Sequence, residues 1–235
     1  MQAEQSLLAS PFRTFAVWSL TYLIANICGS IVISVLGYAG EVVTPTWVLA
    51  VSALVLWSPF IGVLLWTSKR HGSGNFVKDF SLSFQATDLW GVPLGIISQL
   101  LLVVVVTLPF QWLFPSIFNS EAVEKRANDL FDAAHGAWIV LLVVIVVICA
   151  PVVEELVYRA FIQHNLGVAY GARIAVLISS FWFAAVHLQI AEFPGLFAFA
   201  LVLGICFART KRLGLSIVTH VAFNATALVV MALTR

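Results

Sequence analysis

Glu154, Glu155 and Arg159 interrupt a long apolar run that begins at Ala137 and resumes soon after them. A charge at bilayer depth costs from about 2.5 to more than 10 kcal/mol. Groups held there need a partner or a task. On a helix, Glu155 and Arg159 lie four apart and share a face, so they can pair. Glu154 lies about 100° round the helix and can point elsewhere. Two further spans carry one imidazole each, His187 and His220, and Asn224 follows His220 by one turn. Together these side chains have the parts for hydrolysis. A glutamate can act as general base toward water. Imidazole and amide N–H groups can hold the oxyanion of a tetrahedral intermediate.

These residues sit in a chain of 235 residues that is 61% hydrophobic and 10% charged. Its mean hydropathy is +1.03. Soluble domains carry about 25% charged residues, so a soluble core does not account for the composition. The fold class expected is all-α, a polytopic transmembrane bundle of about seven spans, with six to eight allowed. The spans read roughly 14–37, 46–67, 89–110, 137–163, 173–190, 194–208 and 213–233. They form one transmembrane domain over 1–235. Thr87 and Asp88 read as the start of the third span, a capping hydroxyl followed by an acid. Residues 119–135 read as an amphipathic helix at the interface. The net charge of +1 argues against nucleic acid as a partner. Cys28, Cys149 and Cys206 fall in apolar runs and form neither a disulfide framework nor a CxxC motif.

Seven alternating spans put Arg13, Lys69, Arg70, Lys78, Arg173, Arg209, Lys211 and Arg212 on one side. By the positive-inside rule that side, with the N-terminus, is cytoplasmic. Counted from the cytoplasmic ends, Glu154 lies about 15 Å deep, His187 about 20 Å and His220 about 10 Å. One shared cavity opening to the cytoplasm is compatible with these depths.

In order, the motifs are Glu154-Glu155-x-x-x-Arg159, Phe183-x-x-x-His187 and His220-x-x-x-Asn224. Ser179-Ser180-Phe181 precedes the second, and Leu215-Ser216-Ile217 the third. This arrangement resembles the CAAX-protease and bacteriocin-processing family, also called Abi, whose eukaryotic relatives include the Ras-converting CAAX endopeptidase. The family usually has Gly after the motif Arg, where this chain has Ala160. The resemblance covers roughly residues 137–233 and implies an intramembrane endopeptidase with its catalytic core there. By position, Glu154 would activate water and His187 would orient it. His220 and Asn224 would hold the oxyanion, while Glu155 and Arg159 would organise the site. It also implies a peptide or membrane-associated protein substrate, with or without a prenyl group of the CAAX kind. The chain is short and no organelle signal is read in it, so a prokaryotic plasma membrane is the expected location. Metal use stays open. Glu154, His187 and His220 could supply three zinc ligands, yet there is no His-Glu-x-x-His pair, and a metal-free glutamate mechanism fits Asn224 better. Buried polar residues also glue membrane helices together. A non-catalytic immunity or scaffold protein, or a proton-coupled carrier, would use the same cluster.

Overall fold

The structure is a computed structural model that describes residues 10–40, 44–119, 134 and 136–234. Among these residues it contains eight helices and no strand. They are α1 (Pro11–Val35), α2 (Thr46–His71), the single turn α3 (Phe76–Asp79), α4 (Ala86–Leu113), α5 (Trp138–Tyr170), α6 (Ala172–Val186), α7 (Phe193–Thr210) and α8 (Gly214–Leu233). Six are long and apolar enough to cross a membrane, and α6 is apolar but shorter. The chain is therefore a polytopic helical membrane bundle, and each of the seven expected spans has its helix. The expected interfacial helix falls almost entirely outside the described residues.

Local chemistry explains the helix ends. Pro11 opens α1 and Pro194 sits in the first turn of α7, where a missing N–H costs nothing. Gly171, at φ +82°, is the only residue between α5 and α6. A Cβ would strain that backbone, so glycine allows the chain to turn in one step.

The bundle distributes polarity in the manner of a membrane protein. Thr14, Thr21, Ser98, Gln163, Ser179, Ser216 and Thr219 are buried. Leu20, Leu23, Ile31, Leu101, Val105 and Leu108 are exposed. Lipid tails offer no hydrophobic drive for helix association, so close packing and internal hydrogen bonds must hold the bundle.

Helix α8, which carries His220 and Asn224, is registered chiefly by α4. Gly91 and Gly95 form a small-x-x-x-small pair facing Thr219. A Cβ on Gly91 would lie 2.7 Å from the Thr219 backbone nitrogen, and one on Gly95 would lie 2.8 Å from that of Phe223. The two backbones therefore touch. The starts of the helices are tied as well. Asp88 Oδ1 pairs with Arg212 Nη2 at 2.7 Å. The Leu213 and Gly214 amides donate to the Ser81 and Ser83 carbonyls. Thr87 is not the cap expected from the sequence. Helix α4 starts at Ala86, Asp88 Oδ2 accepts from the Gln85 amide at 2.8 Å, and Thr87 Oγ1 accepts from Arg212. Asp88 stands in the first turn as expected, with one oxygen on the cap and the other on a helix-to-helix tie that its sequence position does not announce.

Replacing Gly95 by Val should push α8 away from α4. Overpacking of this kind costs about 1–3 kcal/mol. Thermal unfolding in detergent, followed by tryptophan fluorescence, should show a lower midpoint, with Gly95→Ala intermediate. An unchanged midpoint for Gly95→Val would contradict the close contact.

Candidate active site

Helix α5 is continuous but not uniform. Val144–Cys149 and Leu156–Gln163 are π-helical, with an α-helical stretch, Ala150–Glu155, between them. The site glutamates stand at the end of that middle stretch, and π-bulges are frequent at functional sites. Pro151 gives a reason for the first π segment. It has no N–H, and its ring crowds the carbonyl four residues back. In a π turn the Val146 carbonyl would accept from residue 151, which has nothing to donate. Asn224 supplies the donor instead, from Nδ2 to the Val146 oxygen at 2.8 Å. One amide hydrogen of Asn224 is thus committed to shaping α5.

The two glutamates are sorted by burial. The Glu155 side chain is 0% exposed and the Glu154 side chain 27%. Glu155 Oε2 accepts from Arg159 Nε at 3.3 Å, and Oε1 accepts from His220 Nδ1 at 3.1 Å. A buried carboxylate with a partner on each oxygen is a structural anchor. It links α5 to α8 and leaves Glu154 as the accessible acid.

Arg159 is fully buried. Its Nη1 and Nη2 meet no hydrogen-bond acceptor among the described residues, and Cζ lies 5.4 Å from the centroid of the Phe183 ring. The aromatic face takes the cation that no second carboxylate reaches. Phe183 also touches Tyr158, His187 and His220, with ring centroids 5.2, 4.8 and 5.9 Å away. It is the packing centre of the motif residues.

The imidazoles are oriented by their Nδ1 contacts. His187 Nδ1 donates to the Phe183 carbonyl at 2.7 Å. A carbonyl only accepts, so Nδ1 carries the proton, and in the neutral ring Nε2 is a lone pair. His220 Nδ1 likewise donates to Glu155, and its Nε2 stands 3.6 Å from Glu154 Oε2. That separation is too long for a direct hydrogen bond.

A cavity of about 350 Å³ brings Glu154 and His187 together with Tyr158, and its far wall is Tyr22, Asn26, Trp57 and Phe60 of α1 and α2. The structure thus joins Glu154 to His187 through the cavity and to His220 through the 3.6 Å approach. It joins Glu155, Arg159 and His220 in one buried chain. Asn224 is not hydrogen-bonded to any of them. Glu192 faces a different pocket, with Gln99 and Gln111. Gln163 carries no motif signature, yet it is buried, donates to the Gly204 carbonyl at 2.8 Å and accepts from Ser179 at 3.2 Å. It ties α5 to α6 and α7 one turn beyond Arg159.

Among the described residues no group of three His, Cys, Asp or Glu side chains is gathered closely enough to hold a metal ion. The donor set among the described residues does not fit a zinc site as it stands.

Residues 136–226 match the family model described as Rce1-like, type II CAAX prenyl endopeptidase Rce1-like. No curated protein and no solved structure matches the chain.

Proposed function

We propose, from the match of residues 136–226 to the Rce1-like family model, that the chain is a member of that family and an intramembrane endopeptidase with Glu154 as the base that activates water. One observation carries this reading. Glu154 is the accessible carboxylate of a cavity it shares with His187, while its neighbour Glu155 is buried and doubly paired.

In this mechanism a water molecule enters between Glu154 and His187. It donates one hydrogen to the Glu154 carboxylate and the other to the His187 Nε2 lone pair. Its oxygen attacks the scissile carbonyl as Glu154 takes the proton. The oxyanion that forms is held by His220 Nε2–H and by the amide hydrogen of Asn224 not spent on Val146. His220 carries that second proton only as imidazolium, and the Glu155 carboxylate on Nδ1 supplies the opposite charge. Glu154 then returns its proton to the leaving nitrogen, and the C–N bond breaks. Glu155 and Arg159 keep His220 and α5 in register.

The substrate is a peptide or protein held at the membrane, of the CAAX type with or without a prenyl group. The chain itself is an integral membrane protein. We place it in a prokaryotic plasma membrane, and the distribution of Lys and Arg favours a cytoplasmic N-terminus and a cytoplasmic mouth of the site.

The test is cleavage by purified protein in detergent. Farnesylated CAAX peptides and unmodified apolar peptides are offered to wild type and to His187→Ala, each with and without a zinc chelator. Wild type should cleave with chelator present, and His187→Ala should lose most of that activity. Equal cleavage by both would remove His187 from the site, and loss under chelation would overturn the metal-free mechanism. A wild type inert toward the whole panel would favour a non-catalytic binding protein.

A further inference from the structure

The wall of the cavity that faces Glu154 comes from helices outside the family segment. Its polar members on α1 are Tyr22 and Asn26. Asn26 is the sixteenth of the 25 residues of α1. At 1.5 Å per residue it stands about 22 Å from one end of the helix and about 14 Å from the other. It is exposed at mid-span rather than packed in a helix contact. Its Nδ2 donates to the Tyr22 carbonyl at 2.8 Å. Among the described residues its second N–H and its Oδ1 have no partner. A primary amide facing apolar surroundings with most of its hydrogen-bonding capacity unused is costly, unless something that enters the cavity completes it.

An extended peptide offers one N–H and one C=O per residue. A side-chain amide, with a donor and an acceptor side by side, complements that pair. The rest of the wall, Trp57 and Phe60 with the ring of Tyr22, is aromatic and suits apolar side chains. Among the lining residues Glu154 is the one acid, and there is no Lys or Arg. Arg159 is sealed behind Phe183. A free carboxylate in this cavity would face the Glu154 carboxylate and meet no Lys or Arg in the wall.

We propose that Asn26 is a substrate-binding residue, holding the backbone of an extended, uncharged, apolar peptide segment against the aromatic wall of α1 and α2, opposite Glu154. This rests on the reading of Glu154 as the base. It places recognition on a helix that the family match does not cover. It also means that the segment bound here is internal, with any terminal carboxylate of the substrate outside the cavity.

The experiment has a kinetic arm and a binding arm. Asn26→Leu should raise KM by roughly 5–10-fold, the worth of one hydrogen bond. Its kcat should stay within about twofold, and Asn26→Gln should recover part of the loss. Leucine suits a membrane helix, so insertion is preserved. In the binding arm a photoreactive benzoylphenylalanine replaces Asn26 or, as a control, the exposed Ile31 of the same helix, both in a Glu154→Gln background. A fluorescent apolar peptide with an amidated C-terminus should be labelled from position 26 and not from 31, and the same peptide as free acid should compete no better. Unchanged KM in Asn26→Leu, or equal labelling from both positions, would overturn the subsite while cleavage by wild type upholds the proposed function. Labelling from 26 alone, with no cleavage by wild type, would overturn the proposed function and leave the subsite standing.

Discussion

Glu154→Gln is expected to lower kcat by roughly 10²–10⁴-fold, the usual worth of a positioned general base. The change is isosteric, but an amide nitrogen cannot take a proton from water. Its fold should survive, because Glu154 is the partly exposed glutamate and lies outside the Glu155–Arg159–His220 chain. The measurement is steady-state cleavage beside thermal unfolding of the same preparation. A large fall in kcat with an unchanged unfolding midpoint is the expected pair of results. Retention of more than about a tenth of the wild-type rate would remove Glu154 from the role of base.

Arg159→Met should act in the opposite way, on the protein before the chemistry. It leaves Glu155 fully buried with one of its two partners gone. Breaking a buried pair from one side costs roughly 3–5 kcal/mol, because the remaining charge is uncompensated. The midpoint of unfolding in mixed detergent should fall accordingly. The double variant Glu155→Gln with Arg159→Met removes both charges and should recover much of that loss, since neutral replacement of a buried pair is often tolerated. It should not recover activity fully, because His220 loses the carboxylate that sets its ring. If the double variant is as unstable as Arg159→Met alone, the pair is not the source of the destabilisation.

The seven apolar helices were legible because hydropathy and helix length are summed over many residues. The Glu155–Arg159 pair was legible because four-residue spacing survives in α5. His220 is a partial case. Its span and face follow from the sequence, but its Nδ1 bond to Glu155 links residues 65 apart, and no local signal encodes it. Asn224 shows the limit most clearly. Its place one turn after His220 suggests a shared cluster, yet its amide bonds to Val146. That carbonyl needs an outside donor because α5 widens before Pro151, and a π turn reads in sequence like any apolar helix. The Gly91–Gly95 pair could have been found from its small-x-x-x-small spacing. Its partner, Thr219, could not.

The recognisable part of the chain and the working part differ in extent. Residues 136–226 hold every acid, imidazole and amide of the motifs. Yet α8 is registered by Gly91 and Gly95, and the cavity is closed on one side by Tyr22, Asn26, Trp57 and Phe60. A fragment cut to the family boundary would keep its chemical groups but lose its α4 contact and half its chamber. It is therefore not a portable cassette. Grafting it onto other leading helices would change what fits beside Glu154 while leaving the glutamates and histidines untouched. New specificities could arise in this architecture by exchange of the first helices, with no substitution among the motif residues.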